Sequence, residues 1–292
     1  MLRISKISFP GLGIEEFSVN SVAFSIFGIE IAWYALLITT GMILAVLYTV
    51  LKAKKIGLTF DDVIDFALFA IPIGIIGARL YFVLTKLEEY SSFSEVLNIR
   101  NGGLAIYGGI IAGTLAVVGV CYFKKINFLA FADCCTPGII LAQAIGRWGN
   151  FMNGEAFGAP TNIFIRMGVN NVLTGFSTRA VHPTFLYESL WNVLGFVLIN
   201  IFYKHKKYDG QILFMVFGWY ALGRMFIEGL RADSLYSKIF GLEFRTSQVL
   251  AVLIFITCSA FLIYFAIKKP TKPLYVKSTD DGKKDKKIKK TK

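Results

Sequence analysis

Seven apolar segments constrain this chain more than any other feature. They run roughly Phe24–Val50, Phe60–Leu84, Leu104–Phe123, Phe128–Ile145, Thr184–Tyr203, Ile212–Leu230 and Ser247–Ile267. About 20 apolar helical residues cross a bilayer core, and inside it every backbone polar group must be paired within the segment. A chain of 292 residues with seven such runs has little left for a soluble domain. Its 55% hydrophobic content and mean hydropathy of +0.60 agree. The expected fold is all-α: a multi-pass membrane protein with seven transmembrane helices and a small extracytoplasmic head region. The fourth segment is short, so tilt or partial re-entry is expected there. Pro72 should kink the second.

Loop charge sets an expected orientation. Lys52, Lys54 and Lys55 follow the first segment, Lys124 and Lys125 the third, and Lys204, Lys206 and Lys207 the fifth. A lysine tail follows the seventh, while Glu88, Glu89 and Glu95 lie in an intervening loop. The positive-inside rule then puts the N-terminus outside and the C-terminus in the cytoplasm. The chain divides into an extracytoplasmic stretch 1–23, a membrane domain 24–267 with an outer head loop at about 147–183, and a disordered lysine-rich cytoplasmic tail 268–292. That tail holds eleven lysines against three aspartates and carries much of the net charge of +12. A terminal lysine run suits anionic lipid, and without interleaved aromatics it gives no support to nucleic-acid binding. Met1 to Asn20 lacks the pattern of a cleavable leader.

Several chemistries find no support. Cys121, Cys134, Cys135 and Cys258 all sit in apolar runs and read as small core residues. His182 and His205 have no metal-type spacing, and no Walker A loop, HExxH or paired CxxC is present. Neither a metal nor another cofactor is expected.

Polar residues gather instead beside spans. Gly146 to Gly158 holds Arg147, Asn150, Asn153, Glu155 and four glycines directly after the fourth apolar run. An arginine at the bilayer seeks a phosphate or a carboxylate, and glycines let backbone N–H groups approach an anion. One reading is a polar re-entrant turn that satisfies itself; the other is a phospholipid head-group pocket. Arg224 and Glu228 lie four apart in the sixth segment, with Arg231 a turn beyond. They read as a buried ion pair that fixes packing, as a phosphate-binding set oriented by Glu228, or as both. Asn101 to Gly109 brackets Tyr107 with glycine pairs, which either allow close helix packing or leave room for a substrate chain. Tyr34, beside Trp33, reads as an interfacial anchor; Arg79 and Asp133 read as structural, and His182-Pro183 as a helix-start contact. On the expected orientation, the stretches 101–107, 147–183 and 228–233 all fall outside.

Together, Asn101–Gly109, Gly146–Gly158, His182–Glu188 and Gly223–Asp233 resemble the prolipoprotein diacylglyceryl transferases of bacteria. The resemblance spans about Phe24 to Ile267 and leaves out the lysine tail. It implies a seven-span enzyme of the bacterial cytoplasmic (inner) membrane. Such an enzyme moves diacylglyceryl from phosphatidylglycerol to the lipobox cysteine in the signal peptide of a preprolipoprotein, and glycerol 1-phosphate leaves. Arg147 then corresponds to the head-group arginine of the signature, with Asn150, Asn153 and Glu155 as companions. Arg224, Glu228 and Arg231 match the charged pattern of the sixth span, and Tyr34 and Tyr220 match functional tyrosines. Many members carry histidine where this chain has Tyr107, and that histidine has been proposed as the base. Expected catalytic residues are Arg147, Tyr107, Arg224 and Glu228. Expected substrate-binding residues are Arg147, Tyr34, Asn150, Asn153, Glu155, Tyr220 and Arg231. The competing readings are a seven-span anion or lipid transporter without chemistry, which no internal repeat supports, and a receptor-like protein.

Overall fold

A computed structural model describes residues 4–90, 92–99, 102–171, 176–232, 236–239, 242–270 and 273–277. Asn101, Asp233 and the tail from 278 onward, which figure in the expectations above, lie outside the described residues.

Four strands open the chain: β1 (Ile4–Phe9), β2 (Ile14–Asn20), β3 (Val22–Ile26) and β4 (Ile29–Ala32). Helices α1 (Trp33–Ala53), α2 (Phe60–Thr85), α3 (Phe93–Leu97), α4 (Ile106–Phe123) and α5 (Phe128–Asn153) follow. Then come β5 (Met167–Asn171), β6 (Phe176–Val181), α6 (Thr184–Tyr203), α7 (Gln211–Leu230), β7 (Tyr236–Ile239), β8 (Leu242–Arg245) and α8 (Thr246–Lys268). Among the described residues, seven helices are long and apolar enough to cross a membrane: all but the short α3.

Two expected boundaries move. The first helix starts at Trp33 rather than Phe24, because Val22–Ala32 forms the β3–β4 hairpin. Phe27 and Gly28 at its tip both have positive φ, the geometry of a tight hairpin turn. The fourth span runs on to Asn153 instead of ending at Ile145.

The chain divides into two compact units, Met1–Leu47 with Cys135–Pro273 and Tyr48–Cys134 with Leu274–Lys292. In the first, β2-β1-β5-β6 form an antiparallel sheet. Ile7, Val19, Met167, Val169 and Val181 bury one face of it against Phe185, with Phe151 and Met152 packed alongside. The sheet therefore grips the end of α5 and the start of α6. Further along, Ile140, Ile199, Ile212 and Val216 join α5, α6 and α7.

In the second unit α2 and α4 pack through small residues. A Cβ on Gly108 would collide with the carbonyl of Gly77, and one on Gly77 would strike Ala112. The glycine pair beside Tyr107 thus serves close helix approach. Arg79 ties the α2–α4 connection: its guanidinium donates to the carbonyls of Glu95, Val96, Asn98, Gly102 and Gly103 at 2.8–3.2 Å. This is the structural role expected of it. Thr59 and Asp62 cap the start of α2 reciprocally. Asp62 also takes Lys124 at 2.9 Å and Lys277 at 2.8 Å. Lys277 donates its N–H to Ile56, so the described stretch 273–277 of the lysine-rich tail is docked.

Candidate active site

The site is built in the first unit from the ends of three helices. Arg147 stands two turns before the end of α5, Glu188 one turn into α6, and Arg224 and Glu228 in the last two turns of α7, with Arg231 just beyond. Arg147 Nη2 lies 2.6 Å from Glu188 Oε2. Arg231 Nη1 lies 3.1 Å from Glu188 Oε1, and Arg224 Nη1 lies 3.3 Å from Oε2. Arg224 Nη2 is 2.6 Å from Glu228 Oε2, and Arg231 Nε is 3.9 Å from the same oxygen. Three guanidiniums thus converge on one carboxylate, and a second carboxylate holds two of them. Glu188 is 4% exposed and Glu228 1%, so these charges interact with little solvent screening. The five groups leave one net positive charge.

Arg147 starts a polar chain along α5. Its Nη1 donates to Asn150 Oδ1 at 3.4 Å. Asn150 and Asn153 both donate to Glu155 Oε1, at 3.2 and 3.1 Å. All of Gly146–Asn153 is helical, so Gly146 and Gly149 do not form the anion-cradling turn expected there, while Gly154, with positive φ, and Gly158 lie beyond the helix. Gly149 has another reason. A Cβ there would stand 2.6 Å from Tyr34 Cδ2, so its absence lets Tyr34 of α1 lie against α5 next to Arg147.

The backbone after α5 closes the site. Gly158 N–H donates to His182 O at 2.9 Å, and Ala159 N–H to Leu230 O at 2.7 Å. A Cβ on Gly158 would fall 2.7 Å from Leu230 O, so this crossing requires glycine. His182 Nδ1 meets Tyr187 Oη at 3.3 Å, a helix-start contact, and burial lowers the pKa of its imidazole. Arg245 donates to Glu228 O at the end of α7, where carbonyls lack helical partners.

The register of α6 on α7 is held by a reciprocal clasp. Trp191 and Trp219 stack with centroids 4.3 Å apart. Each indole N–H donates to the other's backbone carbonyl, at 3.0 and 2.9 Å. Gly223 faces the Trp191 indole and Gly195 the Trp219 indole, with no room for a Cβ at either. Beside the clasp a small cleft is lined by Glu188, Trp191, Asn192, Tyr220, Gly223, Arg224 and Ile227.

Arg147, Arg224, Arg231, Glu228, Tyr220, Tyr34, Asn150, Asn153 and Glu155 thus belong to one unit. Tyr107 opens α4 in the other, half-buried, and is described there by itself. Sequence reasoning missed Glu188, the hub of the cluster. A glutamate one turn inside an apolar span was the available signal. It also missed the clasp, which is written as Trp-x-x-x-Gly at 191–195 and again at 219–223.

Comparison with known proteins gives the family of the chain. The family profile described as prolipoprotein diacylglyceryl transferase matches residues 21–264. A phosphatidylglycerol–prolipoprotein diacylglyceryl transferase of Clostridioides difficile is 48% identical over 218 residues, 74% of this chain and 85% of the relative. The enzyme of that name from Enterococcus faecalis is 43% identical over 260 residues, covering 84% and 90%. A third, from Finegoldia magna, is 44% identical over 240 residues, covering 82% and 92%. With the match extending over most of its length, this chain belongs to the prolipoprotein diacylglyceryl transferase family.

Proposed function

We propose that this multi-pass protein of the cytoplasmic membrane transfers the diacylglyceryl group of phosphatidylglycerol to the lipobox cysteine of a preprolipoprotein. The convergence of Arg147, Arg224 and Arg231 on Glu188 carries the reading. Three arginines at a membrane helix end would repel one another without a carboxylate among them. Glu188 offsets that repulsion. A guanidinium has five N–H donors, more than one carboxylate consumes, so the arginines can also receive phosphoryl oxygens.

The reaction follows from this charge arrangement. The substrate thiolate attacks the glyceryl carbon that bears the phosphoester. A carbon–sulfur bond forms, the carbon–oxygen bond breaks, and its electron pair stays on the leaving phosphate. The thiol proton ends on the released glycerol 1-phosphate. Negative charge grows on the phosphate in a dry site, where fixed arginines stabilise it best. The same field favours thiolate, since an ordinary cysteine thiol titrates near pH 8.5. Tyr34, Asn150, Asn153, Glu155 and Tyr220 shape the head-group side. Tyr107 acts as a hydrogen-bond donor to a lipid oxygen, because a tyrosine hydroxyl is a poor base at neutral pH. Lysine alternation between loops puts the N-terminus outside and the C-terminus in the cytoplasm.

Purified protein incubated with phosphatidylglycerol and a lipobox peptide should release glycerol phosphate. Lipid movement without release would point to a transporter. Reporter fusions after Lys55, Lys125 and Lys207 should all read cytoplasm, and one reading outside would refute the orientation.

A further inference from the structure

The cleft beside the arginine cluster holds a polar group that the phosphate chemistry does not use. Asn192 lies one turn beyond Glu188 on α6, on the same helix face. It is 2% exposed and lines the cleft with Tyr220, Gly223 and Arg224. Its Nδ2 has no hydrogen-bond partner among the described residues. A buried amide donor with no acceptor is costly near the middle of a span and calls for a reason. Rotation of α6 cannot hide it. The neighbouring Trp191 is locked by its hydrogen bond to Trp219 O and by its fit over Gly223.

Depth indicates what the donor meets. Four residues of helix place Asn192 about 6 Å farther along the axis than Glu188, towards the centre of the 20-residue α6. In a glycerolipid the ester carbonyls lie on the hydrocarbon side of the phosphate by a similar distance. They are neutral acceptors, and a neutral amide donor can meet them.

We propose that Asn192 donates a hydrogen bond to an acyl ester carbonyl of the lipid donor while the arginines hold its phosphate. The inference rests on the transferase reading and adds a specificity determinant to it: the cleft distinguishes ester-linked from ether-linked glycerolipid. An ether lipid has the same phosphate, glycerol and chains but no carbonyl to accept from Nδ2.

The test compares kcat/KM for diacyl and dialkyl-ether phosphatidylglycerol in wild type, Asn192→Leu and Asn192→Ala. Leu keeps the volume without the donor, and Ala removes both. Each ratio comes from a single preparation, so the fraction of folded enzyme cancels. Wild type should prefer the diacyl lipid by about tenfold, the worth of one buried hydrogen bond to a neutral acceptor. Either variant should bring the ratio close to one. A wild type that treats the two lipids alike overturns the proposal, as do variants that keep the wild-type ratio. Absence of transfer from diacyl phosphatidylglycerol in wild type would instead refute the transferase reading itself.

Discussion

Arg147 on α5 and Glu188 on α6 meet at 2.6 Å, 41 residues apart in sequence. This pair links the polar run at the end of α5 to a glutamate that the run itself does not reveal. Because Arg224 and Arg231 share Glu188, the geometry of all three arginines depends on one carboxylate.

Arg147→Ala should nearly abolish transfer in a protein that still inserts. Loss of one contact that stabilises transition-state charge commonly costs about 10²–10³ in rate. Arg147→Lys should recover little, because an ammonium cannot span Glu188 and Asn150 as a planar fork does. Initial rates on matched amounts of folded variant give the answer, and near-normal turnover by the alanine variant contradicts the assignment.

Glu228→Gln should destabilise the protein more than Glu155→Gln. Glu228 is deeply buried against Arg224, whereas Glu155 accepts only from neutral amides among its described hydrogen bonds. Removing one member of a buried pair costs on the order of 3–5 kcal/mol. Thermal midpoints in detergent decide the matter. The double change Glu228→Gln, Arg224→Gln should recover part of the loss, and no recovery would refute the pairing.

The tryptophan clasp makes a steric prediction. Gly223→Ala puts a methyl into the Trp191 indole and should cost about 1–3 kcal/mol, with transfer falling as Arg224 shifts from Glu188. Gly119→Ala in α4 meets nothing within 4 Å and should be neutral or stabilising by up to about 1 kcal/mol. Equal midpoints for the two variants would mean that the clasp does not set the helix register.

Tyr107→Phe should retain transfer at about a tenth to a hundredth of the wild-type rate, the loss of a hydrogen bond rather than of a base. Its pH–rate profile should keep the same limb, since the substrate thiol titrates. Complete loss in a folded, lipid-binding variant would make Tyr107 the proton acceptor. Tyr107→His should remain active.

Much of this was legible in the sequence, for reasons of scale. Apolar runs of about 20 residues specify spans almost by length alone, and only the ends moved. At Phe24 a hairpin of Phe and Ile residues has the hydropathy of a helix, and its Phe27-Gly28 turn was the overlooked signal. The sheet of β1, β2, β5 and β6 was not legible, because its strands come from the two separate chain segments of the first unit and β1 pairs with β5 across at least 160 residues. Arg147, Arg224 and Glu228 stood out because charge inside a span is costly. Glu188 carried the same signal, but its partners lie on α5 and α7, which no local spacing connects. Asn192 had still less to mark it, because an amide in a span is common and only the packed cleft shows that its donor is unmet.

The central claim is that the Arg147–Glu188–Arg224–Arg231 cluster carries diacylglyceryl transfer. The most direct measurement is the mass of a lipobox peptide after incubation with purified protein and phosphatidylglycerol, before and after alkaline ester hydrolysis. The account predicts a diacylglyceryl mass gain that hydrolysis trims to a stable glyceryl thioether on cysteine, and almost none with Arg147→Ala. A peptide left unmodified by wild type, or a modification that hydrolysis removes completely, would contradict it.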